Sequence, residues 1–385
     1  MPTPSIVSLG ISLSPRAGAA VLMHPKGVVA SAIEERGTSR KPSLPLQAVQ
    51  FCLQQAGLKD LSSVDVISLQ SRHARDWVDF LAHQFAEEKS WIEGLLSLPS
   101  NLRHELRFRA ELRRELEQLG GDSSQLPEVV LVADEQAIAQ GLYSQRPNED
   151  VGYLLLDVPF SQTASGLWAG RATGLESIWL QEFPQSLELL TANLAGFCGF
   201  RGRMGQRQFL QLAEYGEPRF GELMGTELLQ VEGMARFKVN SEILVLEPSR
   251  EVDWHEFNRL FEEGPRRPDQ PISSREIDLA HALIMTVQEW IDVVGKFASE
   301  ELKMHSLSVR GQGPLFDRLK TKLRHLPISS TLVGLQDEPL IMAAGAAREA
   351  LVSKGAEFQG LQPLNLRPQA AFQEYSRRTL SSVPL

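Results

Sequence analysis

The sequence predicts an α/β protein of two lobes that share one β-β-β-α-β topology. Two observations carry this prediction. Three short apolar segments joined by turn residues occur near residues 5–33, and the same pattern returns near residues 152–180. Each run is followed by a segment whose apolar residues recur at helical spacing.

The elements follow in order. Ser5 to Ser12 (SIVSLGIS), Ala19 to Met23 (AAVLM) and Gly27 to Ile33 (GVVASAI) read as strands. Ser14-Pro15 and Pro25-Lys26-Gly27 supply the turns of a β-meander. Leu46, Val49, Leu53 and Ala56 fall on one face of a helix over Leu46 to Ala56, and Val64 to Leu69 is a short strand. From Ala74 to Leu119 the pattern turns helical and charged. Leu102, Leu106, Leu112, Leu116 and Leu119 are interleaved with Arg103, Arg107, Arg109, Arg113 and Arg114. This is either an arginine-rich phosphate- or partner-binding helix or a solvated face of Arg–Glu pairs. Glu105, Glu111, Glu115 and Glu117 favour the second. Gly120 and Gly121 end it.

Val129 to Val132 is a strand, Asp134 to Tyr143 reads helical, and Gly152 to Asp157 (GYLLLD) is again a strand. Ser165 to Ala169 and Leu175 to Leu180 continue a second meander. The stretch from Glu182 to Pro218 then carries an apolar helical run, Leu187 to Phe200, behind a possible Ser186 cap. It leads into a basic, glycine-punctuated loop with Arg201, Gly202, Arg203, Gly205 and Arg207, and closes on Tyr215-Gly216-Glu217-Pro218. A helix feeding such a loop is a reasonable place to hold an anion. Asp253 to Phe261 and Ser274 to Leu302 are helical; the second has a core-facing stripe of Ile277, Ala280, Leu283, Ile284, Val287, Ile291 and Val294. Leu307 to Val309 is a strand, Gly311-Gln312-Gly313 opens a turn, and Pro339 to Val352 is a small-residue helix. Past Gly355 the chain is Pro/Gln-rich. The expected organisation is a first lobe over 1–148 with a helical insertion at about 74–121, a second lobe over 149–355, and an extended tail over 356–385. Two lobes of one topology are the trace of the actin-like, or ASKHA (acetate and sugar kinase, heat-shock protein, actin), fold.

At 385 residues the chain is long enough for two lobes, and 42% hydrophobic with 23% charged residues is an ordinary globular composition. A net charge of −9 argues against a general nucleic-acid or membrane-surface binder. The two cysteines, Cys52 and Cys198, belong to no CxxC or Cys/His cluster and read as buried structural thiols. No N-terminal leader pattern and no apolar run approaching ~18 residues is present, so a cytoplasmic location is expected.

Several segments together resemble the O-carbamoyltransferase family of antibiotic and nodulation-factor biosynthesis. They are GIS…AAVLM (Gly10–Met23), IEERGTSRK (Ile33–Lys41), LPLQAVQFCLQQAGL (Leu44–Leu58), FPQSLELL (Phe183–Leu190), LAEYGEP (Leu212–Pro218) and GPRRPDQPISSREIDLA (Gly264–Ala280). The resemblance implies an ASKHA-type module that binds carbamoyl-adenylate and transfers the carbamoyl group to a hydroxyl. In that family a separate YrdC-like domain makes the adenylate from carbamoyl phosphate and ATP. It would begin shortly after residue 360, so none is expected in this chain, which stops at Leu385.

The residues at the family's chemistry positions depart from its pattern. A His-Asp pair in the first turn is matched by Arg16 and Ala17. A His-His-x-x-His metal motif is matched by Asp134, Glu135 and Ile138. The Asp-Gly phosphate loop keeps Asp157 but follows it with Val158, Pro159, Phe160 and Ser161, where Val and Phe meet φ > 0 at a steric cost glycine lacks. The Asn-Ser-Gly-Glu run with its downstream Lys becomes Arg203, Met204, Gly205, Gln206 and Gln208, and the nucleotide turn becomes Gly311-Gln312-Gly313. Asp337 matches the family's acidic metal ligand. Asp134, Glu135, Asp157 and Asp337 are ordinary acids or an oxygen-ligand site for a divalent cation.

The resemblance leaves three readings. In the first, the chain is a catalytically degenerate family member acting as partner or scaffold subunit, in a homo- or heterodimer with an active family member or another enzyme of the pathway. In the second, it is an active carbamoyltransferase in which Arg16, Arg201, Arg203 and Arg207 hold an anionic donor, Tyr215 orients it, and a carboxylate such as Asp134 or Glu135 serves as base. ATP or carbamoyl-adenylate and a divalent metal would then be its cofactors. In the third, the chain senses a nucleotide without turnover, which needs only binding in the cleft; across these readings Asp157, Arg201, Arg203, Arg207, Tyr215 and Gly311 are the candidate ligand-binding residues.

Overall fold

A computed structural model of the protein describes residues 6–13, 17–35, 44–70, 114, 126–158, 163–244, 254–332, 338–356 and 358. Arg16, Phe160 and Asp337, nearly all of the arginine-rich segment and nearly all of the tail lie outside the described residues. The chain divides into two units. Residues 1–149, 171–175 and 334–385 form the first, and 150–170 with 176–333 form the second.

In the first unit, β1 (Ser8–Leu13), β2 (Ala17–His24) and β3 (Gly27–Glu35) form the expected antiparallel meander. Helix α1 (Leu46–Gln55) follows, then β4 (Val66–Gln70), β5 (Glu128–Val132) and α2 (Asp134–Gln145). Strand β4 lies parallel to β1, and β5 parallel to β4, giving the order β3-β2-β1-β4-β5. Alternation decides the faces. Leu9 and Ile11 of β1 join Val49, Cys52 and Leu53 of α1 in one cluster. Pro45, at the N-cap of α1, offers no capping side chain. Instead, the Glu34 carboxylate accepts from the backbone N–H of Gln47 at 2.8 Å and of Ala48 at 3.1 Å.

The second unit repeats this plan. Strands β6 (Val151–Leu156), β7 (Thr163–Arg171) and β8 (Gly174–Glu182) make the meander, and α3 (Leu187–Phe197) follows. Then come α4 (Gly202–Leu212), a two-stranded ribbon of β9 (Leu229–Val231) and β10 (Phe237–Val239), α5 (His255–Phe261) and α6 (Ser274–Lys296). Strand β11 (Ser306–Gly311) runs parallel to β6; after α7 (Pro314–Arg324), β12 (Ser329–Leu332) runs parallel to β11. The order β12-β11-β6-β7-β8 is that of the first sheet, element for element. A Ser273–Glu276 capping box starts α6, and Leu279, Leu283, Val287, Trp290, Ile291 and Val294 bury its stripe. Ile277, expected in that stripe, is only partly buried.

The last helix, α8 (Glu338–Ser353), groups with the first unit, whereas the expected boundary put it in the second lobe. Backbone contact explains the placement. A Cβ added at Gly345 would lie 1.7 Å from the Ala137 carbonyl oxygen of α2, and one at Gly10 of β1 would lie 1.9 Å from that of Ala343. Small residues let α8 lie against α2 and β1 at a distance no larger side chain allows.

A second difference concerns the basic loop. Residues 202–212 are helix α4, because Gly205, Phe209 and Leu210 form a buried face and Gly205 packs on Phe200. Two glycines and three arginines in seven residues hid that period. Strands β9, β10 and β12 are three or four residues long and left no periodic trace. Helix α7 did leave one: Pro314 at its start, with Leu315, Phe316, Leu319 and Leu323 buried together. Cys52 and Cys198 are free and buried; burial pushes the Cys52 thiol up to about 12 and raises that of Cys198 further. Among the described residues no helix is long and apolar enough to cross a membrane.

Candidate functional site

Open α/β sheets place ligands beyond the carboxyl ends of their parallel strands, where helix N-termini present unpaired N–H groups. In the second unit that edge is formed by the ends of β6 and β11 and the starts of α3 and α7. Asp157, the residue after β6, has φ 49°, so the left-handed position falls on an aspartate, which tolerates it, and not on the buried Val158. The Asp157 backbone N–H donates to Ser165 Oγ at 3.1 Å. Its carboxylate accepts from Ser186 Oγ at 2.6 Å and from the Glu188 N–H at 3.3 Å, and so sits on the N-terminus of α3. Ser186 is the N-cap of that helix, accepting from the Leu189 N–H at 3.0 Å.

Glu188 crosses from α3 to α7. Its Oε1 accepts from the N–H of Leu315 at 2.9 Å and of Phe316 at 3.3 Å. The turn between β11 and α7 is shaped around this carboxylate: Gly313 has φ 106°, and a Cβ there would lie 2.2 Å from Glu188 Oε1. Gly311 serves packing, since a Cβ on it would meet the Phe316 ring at 2.5 Å. Burial raises Asp157 to about 6 against the Ser186 and backbone hydrogen bonds that hold it down. Burial, then the charge of Asp157, raises Glu188 to about 8 against the N–H groups of α7 and the charge of Arg203. Both carboxyls are thus raised from the usual range, and the charge of one opposes ionisation of the other.

Of the other expected site residues, Arg203 is exposed but its charge reaches Glu188, Arg201 is exposed, and Arg207 pairs with Asp317 at 3.5 Å. Tyr215 is 78% exposed. It lines a half-open pocket of about 640 Å³ with Phe200, Gln208, Leu212, Ile272 and Arg318. Asp134 and Glu135 are buried in the first turn of α2, in the first unit. There Ser12 Oγ donates to Gln70 Oε1 at 2.7 Å, and Gln70 Nε2 donates to Asp134 Oδ1 at 2.8 Å, tying the ends of β1 and β4 to α2. Among the described residues no group of three or more His, Cys, Asp and Glu is placed to hold a metal ion.

The residue that sequence reasoning missed is Glu188. An acid in the first turn after a serine cap is an ordinary helix-start signal. Its partners lie 127 and 128 residues further along, where no local pattern points.

Two units, each holding a five-stranded sheet in one shared strand order, define an ASKHA-like protein. A model of the carbamoyltransferase N-terminus matches residues 8–315, and the chain belongs to that family. It is 27% identical over 307 residues to the uncharacterized protein sll1178 of Synechocystis sp. (strain ATCC 27184 / PCC 6803 / Kazusa). That match covers 79% of this chain and 50% of the relative, so the chain spans about half the length of the curated protein it matches. Among solved structures, the ROK hexokinase from Thermus thermophilus shares 13% identity over 90% of this chain and 100% of its own, at a TM-score of 0.36. Component A of (R)-2-hydroxyglutaryl-CoA dehydratase from Acidaminococcus fermentans shares 11% over 91% and 99%, at 0.37. Both likenesses are low, and the fold rests on the strand order.

Proposed function

We propose that this chain is a carbamoyltransferase-family module without turnover that acts as a partner or scaffold subunit of an active family member or of another enzyme of its pathway. One observation carries the reading. At the strand-end edge of the second unit, the N–H groups that would greet an anionic ligand already hold the chain's own acids, Asp157 on α3 and Glu188 on α7. With those donors satisfied and acids beside them, the edge opposes an ATP or carbamoyl-adenylate phosphate, and this supports the reading without turnover.

A second reading keeps turnover, and the same pair favours it in one respect. A carboxyl group shifted to about 6 or about 8 is poised to take or give a proton near neutral pH, as deprotonation of an acceptor hydroxyl requires.

Calorimetric titration of the purified chain with ATP and Mg²⁺, and with a carbamoyl-adenylate analogue, separates the readings. The expected result is no saturable heat up to millimolar ligand. Saturable binding of either ligand would sink the scaffold reading, and carbamoylation of an added hydroxyl compound would establish the second.

A further inference from the structure

We propose that helix α4 and the pocket beside it form a self-association face, on which two copies of this chain dock about a two-fold axis, each placing Tyr215 in the pocket of the other. The inference concerns the second unit alone and stands whether or not the chain turns over a substrate.

The face begins with the period of α4. Gly205, Phe209 and Leu210 bury one side of the helix. Met204, Gln208, Gln211 and Tyr215 recur on the opposite side, the last in the 3-10 turn Ala213–Tyr215 that continues the helix. Gln208 and Gln211 are uncharged and exposed. Met204 and Tyr215, at 68% and 78%, are the two most exposed large apolar side chains among the described residues. Two such side chains on one stripe are a patch, whereas scattered single ones need no explanation.

The half-open pocket of about 640 Å³ adjoins the stripe, with Phe200 and Leu212 on its lining and the exposed Ile272 beside Tyr215. A volume of that size has room for a phenol ring. A projecting side chain next to a hollow is self-complementary. About a two-fold axis each Tyr215 meets the other copy's pocket at once, and neither pocket is left open for a third copy. The charges agree with a second copy as the occupant. Arg318 pairs with Glu214 at 2.7 Å and Arg207 with Asp317 at 3.5 Å, so opposite signs alternate over the face. No acidic excess opposes docking here, although the whole chain carries −9 and its copies repel elsewhere.

Sedimentation velocity of the full chain from about 1 to 100 μM tests this. The wild type is expected to pass from monomer to a dimer that grows no further. Tyr215→Ala alters an exposed side chain and leaves the core of the unit untouched. It is expected to weaken dimerisation by about thirtyfold or more, as truncating an aromatic anchor does. Arg318→Glu and Glu214→Arg each set like charges against one another across the axis and should weaken the homodimer. Mixing these two variants should restore association as a heterodimer. A wild type monomeric at the highest concentration would overturn the proposal and leave the face to a different partner. A dimer that Tyr215→Ala leaves as tight, an open series of larger oligomers, or a mixture that associates no better than either charge variant alone would overturn it too.

Discussion

Gly345→Ala is expected to destabilise the first unit by about 3 kcal/mol or more, one of the two largest single-residue effects anticipated here. The added methyl would sit 1.7 Å from the Ala137 carbonyl oxygen and 2.6 Å from the Gly141 nitrogen. Both are helix backbone, so neither can swing aside as a flexible side chain would. The helices must separate, and the small-residue contact of α8 with α2 and β1 is lost along its length. Urea denaturation should show a lower midpoint. Gly141→Ala should behave alike, because its Cβ would lie 2.0 Å from the Ile341 oxygen. Gly225→Ala is the control: nothing lies within 4 Å of its Cβ position, and a change within about 0.5 kcal/mol is expected. Equal midpoints for Gly345→Ala and the wild type would show that α8 does not pack as described.

Arg275→Ala is expected to cost about 3–5 kcal/mol in the second unit. The guanidinium donates to Glu276 Oε1 at 2.8 and 2.6 Å and to the Gly264 carbonyl at 2.9 Å, and pairs with Glu263 at 2.9 Å. The Glu276 side chain is 1% exposed, so removing Arg275 strands a buried carboxylate. Burial opposes the charge of Glu276, yet the Ser273 hydroxyl and N–H and the Arg275 guanidinium outweigh it and hold its carboxyl below the usual range. A carboxylate so depressed adds stability above its unfolded pKa, and that stability is lost as pH falls. The gap between Arg275→Ala and the wild type should therefore be largest near neutral pH and narrow as acid protonates Glu276. Denaturation curves at pH 7 and pH 4.5 check this; a gap that widens in acid would contradict it.

Much of the fold was legible because its signals are local. Both meanders, α1, α6 and the strand after α6 came from alternation, helical stripes and turn residues lying close together. Helix α4 was not, because glycines and arginines around Gly205 imitate a loop, and its helical face appears only once Gly205 is seen against Phe200. The site divided in the same way. Asp157 was recognised at the end of its strand, and Ser186 as a cap. Of the arginines read there as a basic loop, Arg201 and Arg203 are exposed and Arg207 pairs with Asp317 across to α7.

By itself the sequence determined the class: a duplicated α/β plan, the order of segments shared with the carbamoyltransferase family, and thiols fit only for the core. Periodicity and motif order act within a few turns of chain, and a sequence records them directly. Tertiary structure decided which unit holds α8 and what occupies the edge of the second sheet. Both depend on groups far apart along the chain, Gly345 on Ala137 and Glu188 on Leu315. Such contacts exist only after the backbone has folded to bring them within a few ångströms, and there a carboxylate that reads as a simple helix start becomes the group that fills the site.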